Sequence, residues 1–136
     1  MTLNLDNNKF RIFSFWIVRL TLGISFFFHG WGKLPLPPEK LTPWFDNIGI
    51  IYPDIIASLV SLGEIGAGIG IIIGGFINGG FGAFITRLSA LSIFIIMIGA
   101  FYLAHSDWFI TTKLFSSVQI FLLVSGLFFF IKGNNK

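Results

Sequence analysis

Four long apolar segments, separated by short polar or proline-rich stretches, dominate the chain. They cover residues 12–34, 53–77, 81–104 and 112–131. A helix needs about 20 mostly apolar residues to cross the hydrocarbon core of a bilayer, and each segment reaches that length. The pattern therefore predicts an all-α fold: a bundle of four transmembrane helices that forms one integral membrane domain over residues 1–136.

The segments between the predicted helices have the composition of turns and interfacial loops. Residues 35–52 hold four of the five prolines, which end the first helix, and their aromatic residues suit a stretch at the headgroup level. Residues 78–80, Asn-Gly-Gly, predict a tight turn. Residues 105–108 predict the last turn, with Trp108 as an interfacial anchor.

Composition supports a membrane protein over a soluble one. Apolar residue types make up 54% of the chain and charged ones 11%, against ~25% charged in an average soluble domain. The net charge of +3 does not indicate nucleic-acid binding, because the nine Lys and Arg residues are scattered between apolar runs. The absence of cysteine excludes disulfides, thiol chemistry and thiolate-ligated clusters within this chain.

The basic residues predict how the chain is oriented in the membrane. With four spans, both termini and the turn at residues 78–81 share one side. That side carries five basic residues and the other side three: Lys9, Arg11, Arg87, Lys132 and Lys136 against Lys33, Lys40 and Lys113. The positive-inside rule then places both termini in the cytoplasm of a bacterial inner membrane.

A cleaved signal peptide is the alternative interpretation of the first apolar segment. Lys9 and Arg11 precede the segment, as basic residues precede a signal sequence. However, the segment is longer than a signal h-region, contains Arg19 and lacks a small-x-small cleavage site. We therefore interpret it as a transmembrane helix.

Two charged residues lie deep inside the first two apolar segments, Arg19 in the first and Glu64 in the second. Placing an Arg, Lys or Asp near the bilayer centre costs ~2.5–3.5 kcal/mol on insertion scales, so each charge should face the protein interior and find a partner. Counted from the outer helix ends, the depths of the two residues differ by only ~6 Å. The sequence therefore favours an Arg19–Glu64 pair, either as a structural link or as a site where Glu64 transfers protons or binds a polar headgroup.

Helical periodicity places small residues on the same faces as these charges. One stripe on the first helix and one on the second each contain a charge: Arg19, Gly23, Phe26, Gly30 and Lys33, and Ala57, Ser61, Glu64, Gly68, Ile71 and Gly75. A ridge of glycines lies beside the second stripe: Gly63, Gly66, Gly70 and Gly74. Small residues at this spacing let membrane helices approach closely, which predicts that the second helix is central in the bundle.

Both histidines are predicted in the outer half of the membrane, near Lys33. His29 and His105 could together ligate haem or a metal, or could hydrogen-bond a quinone carbonyl. The stronger interpretation is that one of them bonds a backbone carbonyl and the other marks a helix end. We expect no metal site.

Three ordered pieces of the chain carry a family resemblance. The first is Arg19 followed by LTLGISFFFHGWGKL, the second is Glu64 followed by IGAGIGIIIGG, and the third is Arg87 with a later Met-Ile-Gly-Ala and His105. Together they resemble the DoxX family of small four-helix membrane proteins over residues 12–106. The last helix departs from the family, because many members end in a Gly-Pro-Gly turn that this chain lacks.

The resemblance implies a role linked to redox chemistry. Some relatives are subunits of a thiosulfate:quinone oxidoreductase, and others are membrane partners in complexes that handle oxidative and thiol stress. We therefore expect an accessory or quinone-contacting subunit of a membrane redox complex, with a soluble or membrane partner supplying the electrons. Quinone is the candidate cofactor. The candidate binding residues are Arg19, His29, Lys33, Glu64 and His105, with Glu64 as the candidate proton carrier.

Two other functions stay open on the sequence. A small homo-oligomeric transporter would explain charges inside the membrane, although the chain shows no inverted repeat. A structural or assembly protein would use the charges only to fix the register of its helices. The sequence shows no autonomous catalytic site, so whether the chain is an enzyme stays open as well.

Overall fold

The computed structural model describes residues 7–104 and 118–134, which are helical apart from short connections. Five helices occur within these ranges: α1 (Asn7–Trp31), α2 (Leu41–Asn47), α3 (Pro53–Phe76), α4 (Gly79–Ala104) and α5 (Val118–Lys132). The described residues contain no strand. The predicted all-α fold is therefore confirmed.

Three of the helices, α1, α3 and α4, are long and apolar enough to cross a membrane. The described part of α5 is apolar but has 15 residues, fewer than the about 20 that a span needs. The predicted count of four spanning helices is therefore slightly off: the described residues contain three helices of spanning length, the shorter apolar α5, and the short α2, which was not predicted as a helix. Residues 105–117, which include the predicted turn with Trp108 and the predicted start of the last span, lie outside the described residues.

The boundaries of α1 differ from the apolar segment that predicted it. The helix begins at Asn7, because backbone hydrogen bonds continue through polar residues that hydropathy does not count. It ends at Trp31 in tight turns, where the Gly32 amide donates to Phe28 O and the Lys33 amide to Gly30 O, at 3.0 and 3.1 Å. Lys33 therefore lies just beyond the helix rather than within it.

The start of α3 and the turn after it follow from local residue types. Pro53 occupies the first turn of α3, where a missing backbone N–H costs nothing. The carbonyl of Tyr52 accepts bonds from the amides of Ile55 and Ile56. Gly79 begins α4 with a φ of +82°, a conformation that glycine adopts without steric cost. A tight connection is thereby confirmed, but it consists of residues 77–78, and Gly79 and Gly80 of the predicted turn already belong to α4.

The glycine-rich helix α3 is central, as predicted. It packs against α1 and α4 along its length and against α2 near its start, whereas α5 packs mainly on α4. Gly68 faces the backbone of α1 at Gly23 and Phe27, and Gly70 faces Ser89 of α4. Gly66 has open space beside it, so not every member of the predicted glycine ridge is at a helix contact.

The interior of the bundle is built from one aliphatic and aromatic cluster. It contains residues from α1, α3, α4 and α5: Phe15, Leu22, Phe26, Ala67, Ile71, Ala90, Ile93, Met97, Phe101, Leu122 and Phe129. Large apolar side chains such as Phe13, Phe84 and Phe121 are exposed on the outside. Helices that are apolar on all sides are typical of proteins surrounded by lipid.

Candidate functional site

The contact between α1 and α3 determines where the two buried charges lie. The helices run antiparallel, with Gly30 against Glu64 at one end and Gly75 against Arg19 at the other. A Cβ added to Gly75 would lie 2.8 Å from Arg19 Cδ, and one added to Gly30 would lie 2.9 Å from Glu64 Cβ. Residues 64 and 75 are 11 positions apart on α3, which is about 16 Å along the helix axis. The predicted Arg19–Glu64 pair is therefore wrong.

The error has a physical cause in the loop between α1 and α3. The depth comparison measured each charge from the outer end of its own helix, as though those ends were level. In the structure Gly30, next to the last residue of α1, lies against Ser61, eight positions into α3. The first two turns of α3 extend beyond α1 and are covered by α2, whose Phe45 is buried.

Arg19 is held by neutral oxygen atoms from three parts of the chain. Its side chain is 1% exposed. The guanidinium donates to the Ile71 carbonyl of α3, to Thr86 Oγ1 of α4 at 3.1 Å and to Asn134 Oδ1 at 2.7 Å. Asn134, which follows α5, also donates to the Gly74 carbonyl and accepts from the Thr86 hydroxyl, both at 2.7 Å. Arg19 therefore joins α1, α3 and α4 to the end of α5.

Aromatic rings complete the surroundings of Arg19. Its guanidinium carbon lies 4.8 Å from the ring centroid of Phe129, 5.3 Å from that of Phe15 and 5.6 Å from that of Trp16. Ring faces attract a cation, and this attraction strengthens where water is excluded. No acidic side chain of residues 7–104 and 118–134 pairs with Arg19. This arrangement suits a structural joint between helices.

The partners of Arg19 were missed by the sequence analysis. Thr86 is a single hydroxyl in an apolar segment, and such residues usually bond to their own helix backbone. Asn134 lies beyond the last predicted span and gave no signal of burial. Most of the α1 stripe was correct, because Arg19, Gly23, Phe26 and Gly30 are all buried on one face of α1, but its last member, Lys33, lies beyond the end of the helix.

Glu64 pairs with Lys33 instead of Arg19. The Lys33 ammonium lies 2.5 Å from Glu64 Oε2, with the Lys33 side chain 28% exposed and that of Glu64 7% exposed. Because α1 ends at Trp31, Lys33 sits in the following turn and its flexible side chain reaches back to α3. Lys33 and Glu64 were each predicted as candidate binding residues, but the ion pair between them was not predicted.

Of the two histidines predicted near Lys33, only His29 lies within the described residues. His29 is exposed, and its Nδ1 lies 2.7 Å from the Ser25 carbonyl one turn earlier. This confirms for His29 the prediction that one histidine bonds a backbone carbonyl. His29 is near enough to Glu64 for an electrostatic interaction. His105 lies outside the described residues.

An apolar cavity of about 350 Å³ opens beside the Lys33–Glu64 pair. We refer to it as the apolar cavity. It lies between α2, α3 and α4, with the ion pair at its polar end and a wall that includes Trp44, Phe45, Ile56, Val60, Ile96 and Ala100. Ile95 and Leu103 also line it and are 60% and 42% exposed on the outer surface of the described bundle. The cavity therefore borders the surface that lipid would contact.

A second cavity, of about 360 Å³, lies on the loop side of Lys33. We call it the vestibule; its lining includes the exposed, charged Glu39 and Lys40. Lys33, Leu41 and Trp44 line both cavities. The ion pair therefore lies where a surface-facing space, lined in part by charged side chains, meets an apolar space at the outer surface of the bundle.

The chemistry of this junction suits an organic ligand better than a metal ion. Cavities of roughly 300–1,000 Å³ with apolar walls and a few polar groups are typical of small-molecule sites. An ammonium donates to a carbonyl oxygen, and a carboxylate accepts from a hydroxyl. Within the described ranges, no group of three or more His, Cys, Asp or Glu residues could hold a metal ion.

Comparison with known proteins places this chain in a family. The family model of DoxX matches residues 14–106, which contain Arg19, His29, Lys33 and Glu64. Searches of curated proteins and of solved structures found no match to the chain. Because the matched residues make up more than half of the chain and include three helices able to span a membrane, this multi-pass membrane protein belongs to the DoxX family.

Proposed function

We propose that this protein is the quinone-contacting subunit of a membrane redox complex. The apolar cavity is the quinone site, and Lys33 and Glu64 form its polar end. The observation that carries the proposal is a part-buried ion pair at the end of an apolar cavity of about 350 Å³ whose rim lies on the outer surface of the bundle. A quinone is itself lipid-soluble and carries two carbonyl oxygens on a flat ring, so both its route of entry and its polar groups fit.

The two charged residues divide the chemistry between them. Lys33 donates a hydrogen bond to a quinone oxygen, and Glu64 gives or takes a proton at that oxygen. Reduction of the quinone to the quinol consumes two electrons and two protons. The electrons come from a redox cofactor of the partner protein, and the protons pass through the vestibule, which Lys33 also lines. Arg19 of α1 lies opposite Gly75 of α3, too far from Glu64 to hold its charge in place, so Lys33 takes that role.

The position of the site in the cell follows from the distribution of charge. The excess of basic residues at the termini favours an inner-membrane protein with both termini in the cytoplasm. The vestibule then faces the periplasm, and the protons of the quinone reaction exchange with that side. We further propose that residues 1–136 form one membrane domain.

A transporter would use the same junction but receives less support from the packing. Its path would continue from the ion pair toward the end of the bundle where Arg19 lies. There Gly75 leaves no room for a Cβ beside Arg19 and Trp16, and three aromatic rings surround the guanidinium. A structural role for Lys33 and Glu64 would not require the two cavities beside them.

Binding of a short-chain ubiquinone analogue tests the proposal directly. Trp44 lines the apolar cavity, so a quinone bound there should quench its fluorescence. We expect saturable quenching in the full chain, and affinity at least about tenfold weaker in Glu64→Gln and Lys33→Gln. The part of the fluorescence quenching that is lost in Trp44→Phe is the part that comes from quinone bound in the apolar cavity.

Glu39→Gln is the matched control for Glu64→Gln. It removes the same charge from the exposed vestibule, and we expect affinity close to that of the unaltered protein. Equal quinone affinity in the unaltered protein, Glu64→Gln, Lys33→Gln and Glu39→Gln would overturn the proposal. Native mass spectrometry of the protein extracted in mild detergent then tests whether quinone and a partner protein are retained together.

A further inference from the structure

At the end of the bundle away from the Lys33–Glu64 pair, the described residues include several cations and no acidic side chain. Arg11 near the start of α1, Arg87 on α4 and Lys132 at the end of α5 lie there. The four acidic residues of the described ranges are Glu64, which pairs with Lys33, and three residues around α2 and the start of α3: Glu39, Asp46 and Asp54. Charge is thus segregated between the two ends of the described bundle.

Two of these cations border one groove of about 240 Å³ between α1 and α5. We call it the α1–α5 groove; it is lined by Arg11, Ser14, Phe15, Val18, Phe128 and Lys132. Arg11 precedes Phe15 by one helical turn, and Lys132 follows Phe128 by one turn. Both cations therefore stand one turn outward from an apolar floor, where the rings of Phe15 and Phe128 are 5.9 Å apart.

Among the described residues, the contacts of these two cations are with neutral groups. Arg11 donates to the amide oxygen of Asn8 at 2.9 Å. The Lys132 ammonium lies 6.0 Å from the ring centroid of Phe128. The Ser14 hydroxyl donates to the Arg11 carbonyl and keeps its oxygen available as an acceptor. Two positive charges thus face one groove without an acidic partner among the described residues.

We propose that the α1–α5 groove binds an anionic phospholipid, with its phosphate between Arg11 and Lys132. Its acyl chains lie along Phe15, Val18 and Phe128. Basic residues at the membrane surface attract anionic lipid headgroups, and charge-assisted hydrogen bonds to phosphate oxygens are stronger than neutral ones. Polar groups one turn outward from an apolar floor match the order of phosphate and acyl chain in the lipid.

The lipid also has a structural consequence. Direct contact between α1 and α5 is sparse compared with the contacts of α3. A phosphate held by Arg11 and Lys132 ties the start of α1 to the end of α5 from outside. The α1–α5 groove and the apolar cavity share no lining residue, so lipid can bind in the groove whether or not quinone binds in the cavity.

Titration with phosphatidylglycerol, followed by native mass spectrometry of the full chain in detergent, tests the proposal. Phosphatidylcholine, which has no net charge, is the comparison lipid. We expect tight retention of phosphatidylglycerol, and affinity about tenfold lower in the double variant Arg11→Gln/Lys132→Gln. Added NaCl should weaken the binding, because salt screens exposed charges.

The matched control is Arg87→Gln/Lys40→Gln, which removes two positive charges outside the groove and should leave the affinity unchanged. Val18→Trp keeps both cations and fills the apolar floor, so it should also reduce lipid binding. Equal affinity in the Arg11/Lys132 variant, or an equal loss in the control, would overturn the proposal. Displacement of the lipid by equimolar inorganic phosphate would overturn it too, since the site would then recognise phosphate alone.

Discussion

The two buried charges, Arg19 and Glu64, lie at opposite ends of the α1–α3 contact and have opposite surroundings. Arg19 is enclosed by oxygen atoms from Ile71, Thr86 and Asn134 and by three aromatic rings. Glu64 makes one side-chain hydrogen bond, to Lys33, and lines a cavity. A charge inside a membrane helix therefore does not by itself indicate a ligand site. Arg19 makes three hydrogen bonds and its buried Nε has no partner among the described residues, so unused hydrogen-bonding capacity is common to both charges. The informative difference is whether there is open space beside the charge.

The chemistry of the side chains explains why one site closes and the other stays open. A guanidinium is planar, has five N–H donors and can bond several elements at once. A carboxylate has about four acceptor positions, and the Lys33 ammonium occupies one of them. The unused acceptor positions of Glu64 can therefore serve a ligand in the apolar cavity.

Gly68 separates the two sites, and changing it should have the largest effect on stability. A Cβ at Gly68 would lie 2.6 Å from Gly23 O and 2.6 Å from Phe27 N, both backbone atoms that cannot turn away. We expect Gly68→Val to lower the free energy of unfolding by about 3 kcal/mol, because α1 and α3 must move apart. Titration with a denaturing detergent measures this value. Gly66→Val, at a glycine with open space beside it, is the control and should change stability little.

Removing the charge of Arg19 should weaken the bundle without affecting the ligand. We expect Arg19→Met to lower the free energy of unfolding by about 2 kcal/mol, since the Ile71 carbonyl loses its donor and Asn134 loses one. Arg19→Lys should not restore stability, because a single ammonium cannot reach the same three oxygens. Affinity for the ubiquinone analogue should stay at the level of the unaltered protein. A tenfold loss of affinity in Arg19→Met would show that the two sites are coupled.

Removing the charge of Glu64 should have the opposite effects to removing that of Arg19: quinone affinity should fall while stability changes little. Lys33 is part-exposed, so we expect Glu64→Gln to change the free energy of unfolding by about 1 kcal/mol or less. Quinone affinity should fall at least about tenfold, as proposed above. Denaturation and fluorescence titration of the same sample measure both quantities. A large loss of stability with unchanged affinity would identify the Lys33–Glu64 pair as structural.

His29 should have the smallest effect of the candidate residues. Its ring is exposed, and its one described hydrogen bond goes to the backbone of its own helix, at Ser25. We expect His29→Ala to change the free energy of unfolding by less than about 0.5 kcal/mol, as exposed substitutions usually do. Quinone affinity should be unchanged in the fluorescence titration. A loss comparable to that of Glu64→Gln would return His29 to the ligand site and show that the quinone lies on its side of α1.

Several features of the fold could be read from the chain because they depend on one helix at a time. Apolar length identified α1, α3 and α4, and the turn at Gly79 followed from residue type. A rotation of 100° per residue put Ala57, Ser61, Glu64 and Gly68 on one buried face of α3. Small residues on that face also predicted that α3 is central.

What only the tertiary structure decided is how far one helix slides along another, and therefore which charges meet. Periodicity fixes the direction in which a side chain points, but it carries no information about axial offset between two helices. That offset depends on α2 packing beside the start of α3 and on the backbone contact at Gly68. Because of this offset, Arg19 contacts Thr86 and Asn134, and Glu64 pairs with Lys33. The apolar cavity lies beside the Lys33–Glu64 pair. A shift along the axis leaves every helical face unchanged, so the sequence predicted the face of α1 with Arg19 and the face of α3 with Glu64, but not the partners of these two charges.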